Sequence, residues 1–275
     1  MKPTLQSRVK LNNGIEMPIL GLGVWQMAKG TETQRAVKAA LDLGYRLIDT
    51  AKLYANERDV GIAVRDSGIP REEIFVTTKL WNTDHGFDAA IRAFDNSLHE
   101  LGFEYVDLYL IHWPVAPLRK DSWRALVKLL RDEKCRAIGV SNYTIRLLEE
   151  LLRETEVVPA VNQVEFSPFL YQQKLLDFCR ENNIQLEAYS PLTKGMRLGD
   201  PKLKPFAEKY QKSVAQILIR WALQHDVVVI PKSSRPERIL ENSRVFDFEI
   251  SSADMKALDC LTESYRTTWD PTDVR

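Results

Sequence analysis

Three short stretches each close an apolar run with a side chain that can move or hold a proton. "YRLIDTAKLY" brings Asp49 out of its run and places Tyr54 five residues later. "FVTTKLW" ends around Lys79, and "LYLIHWP" around His112. A free phenol has a pKa of about 10, too high for good acid–base work near neutrality. An adjacent ammonium favours the phenolate, so a Lys beside Tyr54 predicts a lowered Tyr54 pKa. A buried Lys needs a carboxylate in turn, and Asp49 can supply it. His112 can hydrogen-bond and orient a substrate oxygen. Taken singly, Asp49 caps a turn, Lys79 is a solvated rim residue and His112 is a satisfied core histidine. Taken together on three successive strands, they make a site. No Ser or Cys nucleophile is paired with a base, and there is no HExxH or other clustered set of metal ligands, so no metal is expected. A proton donor without nucleophile or metal suits carbonyl reduction or isomerisation.

The elements that must position these residues alternate strictly. "VKLNNGIEM" alternates around Asn13-Gly14, a strong hairpin signal. From "MPILGLGVW" onward, eight short apolar runs alternate with helical patterns; the others are "YRLIDTA", "IFVTTKLW", "VDLYLIHWP", "RAIGVSN", "AVNQVEFSP", "QLEAYSPL" and "VVVIPKSS". Short runs that are apolar throughout are strands buried on both faces, and βα alternation makes a parallel sheet with right-handed crossovers. Eight units predict an α/β fold of the (β/α)8 TIM-barrel type, with an N-terminal β-hairpin and a C-terminal extra helix ("SADMKALDCL") and tail; an open doubly wound sheet is the structural alternative. No Gly-rich linker divides the chain, so residues 1–275 read as a single domain. In a barrel, chemistry sits at the C-terminal ends of the strands, where Asp49, Lys79 and His112 fall.

The composition narrows the partners. Lys+Arg and Asp+Glu are both 38 among 275 residues, so no net field recruits nucleic acid or an anionic membrane. The three cysteines are widely spaced, without CxxC, which disfavours a disulfide framework or a zinc site and fits a reducing compartment. No apolar leader opens "MKPTLQSRVKLNNGIEMP" and no run reaches membrane-spanning length. A cytoplasmic protein acting on a small molecule, with no nucleic acid or membrane partner, is the expectation.

One local anion site stands out. In "PKSSRPER", Ser234 reads as a helix N-cap with Glu237 as its capping-box partner and Pro236 in the first turn. Lys232, Arg235 and Arg238 crowd the positive end of that helix, which disfavours each by a few tenths to about 1 kcal/mol. A bound anion reverses that sign, and barrels often bind phosphate after their seventh and eighth strands. "GLGVWQ" has two glycines of GxGxxG but Gln26 in place of the third, and is weak evidence for a dinucleotide.

Nearly the full chain resembles the aldo-keto reductase family. "GYRLIDTAKLYANE", "VTTKLW" and "YLIHWP" resemble its catalytic segments; "GVSN", "VNQVE", "AYSPL" and "IPKSSRPERILEN" resemble its cofactor segments, in the family's order. With only "VAPLRKDS" between Pro114 and Trp123, the chain is similar to the short bacterial and protozoan members related to diketogluconate reductases and prostaglandin F synthases. Ser167 in "VEFSP" departs from the His of many relatives, outside the catalytic set. The resemblance implies Asp49, Tyr54, Lys79 and His112 as a catalytic tetrad, with NADPH/NADP as cofactor. It implies Ser141, Asn142 and Gln163 on the nicotinamide carboxamide, Tyr189 stacked on its ring, and Ser190 and Leu192 in the same cofactor segment. It further implies Lys232, Ser233 and Arg238 on the 2′-phosphate, Asn242 on the adenine, and a monomer.

The leading expectation is therefore an NADPH-dependent carbonyl reductase with Tyr54 as proton donor. Two alternatives stand beside it: a nucleotide-sensing regulatory subunit on the same fold, and a barrel isomerase or Schiff-base aldolase using Lys79. Trp25, Trp81 and Trp113 at strand ends predict an aromatic substrate pocket. Trp269, in the polar tail "YRTTWDPTDVR", is expected to help close it.

Overall fold

The computed structural model describes residues 2–274. The predicted hairpin pairs β1 (Arg8–Lys10) with β2 (Glu16–Pro18), antiparallel, and turns through Gly14 at φ 89°, a left-handed value that glycine adopts without strain. Eight parallel strands follow in chain order: β3 (Leu22–Gly23), β4 (Leu47–Asp49), β5 (Phe75–Leu80), β6 (Val106–Ile111), β7 (Cys135–Ser141), β8 (Val161–Glu165), β9 (Gln185–Tyr189) and β10 (Val228–Val229). Each pairs with its sequence neighbour. Parallel bridges Leu20↔Val229 and Gly23↔Lys232, with Gly21 N–H donating to the Val229 carbonyl at 2.9 Å, join first strand to last and close the ring.

The two glycines of "GLGVWQ" are explained by close packing around β3. A Cβ on Gly21 would fall 2.4 Å from the Leu47 side chain, and one on Gly23 would meet the Ile230 carbonyl oxygen at 3.0 Å. Gly23 lets the closing strands pack closely, and Gly21 makes room for the Leu47 side chain of β4.

Helices wrap the ring between strands: α1 (Thr31–Asp42), α2 (Glu57–Asp66), α3 (Phe87–Leu101), α4 (Arg119–Arg131), α5 (Ile145–Glu154), α6 (Gln173–Glu181), α7 (Lys204–Tyr210), α8 (Val214–Gln224), α9 (Pro236–Ser243) and the terminal α10 (Ser252–Asp259). The sequence pattern did not reveal α7: seven residues with Pro near the start carry too little periodicity to separate from a loop. Strand faces alternate between two cores. Ile48, Val76, Tyr109 and Ile138 face the helices, while Leu47, Phe75, Leu108, Leu110, Val161, Val228 and Ile230 fill the barrel interior. Leu11 and Met17 of the hairpin pack onto that interior cluster and seal the lower end. Among the described residues no helix is long and apolar enough to cross a membrane.

The predicted cap of α9 needs correction. The helix begins at Pro236, so the N-cap is Arg235, in extended conformation and without a side-chain cap bond. The residue before a proline is pushed out of the helical region, which fixes the cap one residue later than the Ser234 pattern suggests. The Ser233 hydroxyl, rather than that of Ser234, accepts from the Arg235 N–H at 3.2 Å.

Candidate active site

Strand alternation builds the site's floor. Asp49 ends β4, and on β5 Lys79 shares the inward face with Phe75 and Thr77. Both are buried. Lys79 Nζ donates to Asp49 Oδ1 at 2.6 Å, to the Thr50 carbonyl at 2.9 Å and to the Tyr54 hydroxyl at 3.3 Å. Tyr54 lies on a 3-10 turn, Lys52–Tyr54, ended by Ala55 at φ 56°. Buried Asn56 anchors that loop, accepting from the Thr50 hydroxyl at 2.9 Å and donating to the Val24 carbonyl at 3.0 Å. His112 follows β6, set edge-on to Tyr54 at 5.8 Å and to Trp81 at 5.2 Å between ring centres.

The predicted pKa direction for Tyr54 is wrong. Burial, then the Asp49 and Glu187 carboxyls, raise it well above its ordinary value, so the phenol is held protonated. Burial and then Lys79 hold His112 well below the ordinary imidazole value, and its ring is neutral. Lys79 spends its three donors on Asp49, Thr50 and Tyr54, which suits a fixed charge rather than a nucleophile forming a Schiff base.

Above this floor opens a cavity of 1120 Å³. All the sequence-selected site residues line it except Lys79, which lies beneath. Asp49, Tyr54, His112, Ser141, Asn142, Gln163 and Tyr189 face its centre, with Ser190 and Leu192 in the loop after β9. Trp25, Trp81 and Trp113 line it as well. Lys232, Ser233, Arg238 and Asn242 line the stretch beside α9, with Arg235. Lys232, Arg235 and Arg238 form no direct salt bridge among the described residues, although Lys232 acts at longer range on Glu32.

Hydrogen bonds tie the strand ends together. The Ser141 hydroxyl donates to the Gln163 carbonyl at 2.8 Å, and Asn142 Nδ2 donates to the His112 carbonyl at 3.0 Å. Asn142, at φ 63°, accepts from the Tyr189 hydroxyl at 2.8 Å. Ser190, Thr193 and Lys194 also have positive φ. Left-handed non-glycine residues concentrate where a fold holds a ligand.

Two acids escaped the sequence analysis. Glu165, at the end of β8, accepts from the backbone and hydroxyl of both Thr267 and Thr268, at 2.6 to 3.2 Å. This clamps the C-terminal tail over the cavity, and Trp269, 67% exposed, packs on Trp113 at 5.4 Å. Arg275 lies outside the described residues. Glu187, on β9, accepts from Gln163 Nε2 at 2.9 Å. Its signal was available: an acid two residues before Tyr189 on the same strand shares that residue's face. No group of three or more His, Cys, Asp or Glu among the described residues is arranged to hold a metal ion.

Comparison with known proteins identifies the family of the chain. The model of the Aldo/keto reductase family matches residues 19–263. Among curated proteins, glyoxal reductase of Bacillus subtilis (strain 168) is 51% identical over 274 residues, covering 100% of this chain and 99% of its own. The 9,11-endoperoxide prostaglandin H2 reductase of Trypanosoma cruzi (strain CL Brener) is 48% identical, covering 96% of this chain and 94% of its own. Among solved structures, an aldo-keto reductase enzyme from a Medee basin deep-sea metagenome library superposes with a TM-score of 0.94 at 45% identity, over 98% of this chain and 100% of its own. A Bombyx mori aldo-keto reductase in complex with NADP gives 0.88 at 35% identity, over 94% of each chain.

Proposed function

The chain belongs to the aldo/keto reductase family, and on that premise we propose that it is an NADPH-dependent reductase of aldehydes and ketones with Tyr54 as proton donor. The observation that carries the reading is the contact of Lys79 Nζ with both Asp49 and the Tyr54 hydroxyl on the cavity floor.

The residues present fit a phosphorylated dinucleotide. Gln163 Nε2 is engaged below by two carboxyls, so its Oε1 remains an acceptor without a protein donor at the cavity. That suits a carboxamide NH2. At the other end, Lys232, Ser233 and Arg238 would hold the 2′-phosphate and Asn242 the adenine; Ser141, Asn142 and Tyr189 would border the nicotinamide, with Ser190 and Leu192 behind it. A relative solved with NADP supports the choice. When bound, the cofactor would supply hydride to the carbonyl carbon.

The chain's own groups supply the rest. Tyr54, protonated, gives its hydroxyl proton to the carbonyl oxygen. The phenolate left behind is stabilised by Lys79, whose position Asp49 fixes. His112, neutral and held edge-on by Trp81, orients the carbonyl oxygen. Trp25, Trp81 and Trp113 exclude water from the reacting end. A small reactive carbonyl is the substrate class; the name of the Bacillus relative supports an α-dicarbonyl.

A carbonyl panel that includes glyoxal and methylglyoxal, read by NADPH absorbance, tests the reading. Turnover of at least the dicarbonyls is expected. Tight NADPH binding with no turnover across the panel would make the protein a nucleotide-binding module instead.

A further inference from the structure

β9 holds an acid that the reaction above does not use. Glu187 is fully buried on the strand's inward face. Gln163 Nε2 donates at once to Asp49 Oδ2, at 2.7 Å, and to Glu187 Oε2, at 2.9 Å. The other Glu187 oxygen is buried without a partner. The ionisable groups facing this acid are Asp49 from β4, Lys79 from β5 and the phenol of Tyr54 from its 3-10 turn. The neighbouring β10 places Val228 directly opposite, its extension adds Ile230 and, farther along at the cavity wall, Lys232, and β8 offers the neutral Gln163.

One cation thus serves two carboxyl groups. Lys79 gives its bonds to Asp49, Thr50 and Tyr54, and none to Glu187. Two buried carboxylates around one amide would leave an uncompensated charge, which a low-dielectric interior strongly disfavours. The acid in direct contact with the ammonium is the one that ionises, and the other keeps its proton. We propose that Glu187 is a positioning residue for carbonyl reduction: a buried, neutral acid that holds Gln163 toward Asp49, and whose ionisation weakens Tyr54 as a proton donor. The role rests on the reductase reading above.

The electrostatics agree with the geometry. Burial, then repulsion from Asp49, push Glu187 up to about 8, and a charged Glu187 raises Tyr54 further. At neutral pH the acid is protonated and Tyr54 is spared that repulsion. On the alkaline side Glu187 loses its proton, and the phenolate that must form on Tyr54 acquires an anionic neighbour.

Two measurements test this. Infrared spectroscopy of the wild type, with carbon-13 in its glutamate carboxyls, should show a carboxylic-acid band near neutrality that disappears with a midpoint near 8 and is missing from Glu187→Gln. The reduction rate of the wild type should fall over the same window. Glu187→Gln cannot ionise, and should keep its neutral-pH kcat within about threefold while its alkaline limb moves up by about one unit or more. An unchanged limb in the folded variant would overturn the proposal. Absence of the acid band in the wild type would overturn it too, whether or not the variant folds. A titrating band in a protein with no carbonyl turnover would instead overturn the reductase reading, and with it the catalytic role, while leaving the neutral acid in place.

Discussion

The Tyr189 hydroxyl lies 2.9 Å from the Thr268 hydroxyl, which joins a strand end in the cavity to the C-terminal tail. The same Tyr189 oxygen donates to Asn142, and Thr268 is held by Glu165. Lys194, in the loop after β9, adds a bond to the Thr267 carbonyl at 2.6 Å and lies 4.5 Å from the Trp25 ring centre. The tail, the loop and the candidate cofactor site are therefore one hydrogen-bonded unit.

Deleting residues 265–275 should raise KM and alter substrate preference while NADPH affinity and the far-ultraviolet spectrum persist. Glu165→Gln should act in the same direction, because it removes charge-assisted bonds that contribute roughly 1.5–3 kcal/mol each. Steady-state kinetics on two aldehydes of different size, with limited proteolysis of the tail, would measure both effects. An unaltered substrate profile in the truncated protein would dismiss the tail as a cover.

Tyr54→Phe should lose about 10²–10⁴-fold in kcat, the usual contribution of a general acid, with NADPH affinity close to wild type. Fluorescence titration of the cofactor beside single-turnover rates separates the two quantities. Near-normal turnover would remove Tyr54 as donor.

Lys232→Ala combined with Arg238→Ala should weaken NADPH far more than NADH. Each cation would meet a phosphate that NADH lacks, and such a bond contributes roughly 1.5–3 kcal/mol. Calorimetry with both cofactors decides the matter; equal losses would mean that the basic cluster does not read the phosphate.

Stability should depend on pH through Glu187. Its folded-state pKa is raised from 4.5 to about 8, so between those values the folded state binds more protons than the unfolded one. Wild-type stability relative to Glu187→Gln is then fully present below about 4.5, falls as pH rises, and levels off above about 8. Denaturant titrations of both proteins at several pH values should show the variant gaining on the wild type across that window. A constant difference would mean that Glu187 does not change its proton binding on folding.

The barrel was legible in the sequence because its strands are short apolar runs, several of them ended by a polar residue, as in "VTTK" and "YLIH". Those endings also brought Asp49, Lys79 and His112 to one rim. Burial was harder to read. From types and spacing alone, Lys79 beside Tyr54 argues for a lowered pKa; only the enclosed floor, with Asp49 and Glu187 beneath it, reverses the direction. Glu187 passed unremarked because its contact with Asp49 runs through Gln163, which lies 24 residues from Glu187 and 114 from Asp49 in the chain. The Ser234 cap failed for a local reason, the steric demand of Pro236 on Arg235.

The hairpin stopper formed by Leu11 and Met17 has a consequence for traffic. With its lower end sealed and its lower interior packed with Leu, Phe and Val side chains, the barrel is a vessel with one mouth. Anything that reaches Tyr54 must therefore come in across the rim that carries Trp25, Trp113 and Trp269, at the end of the barrel opposite the hairpin.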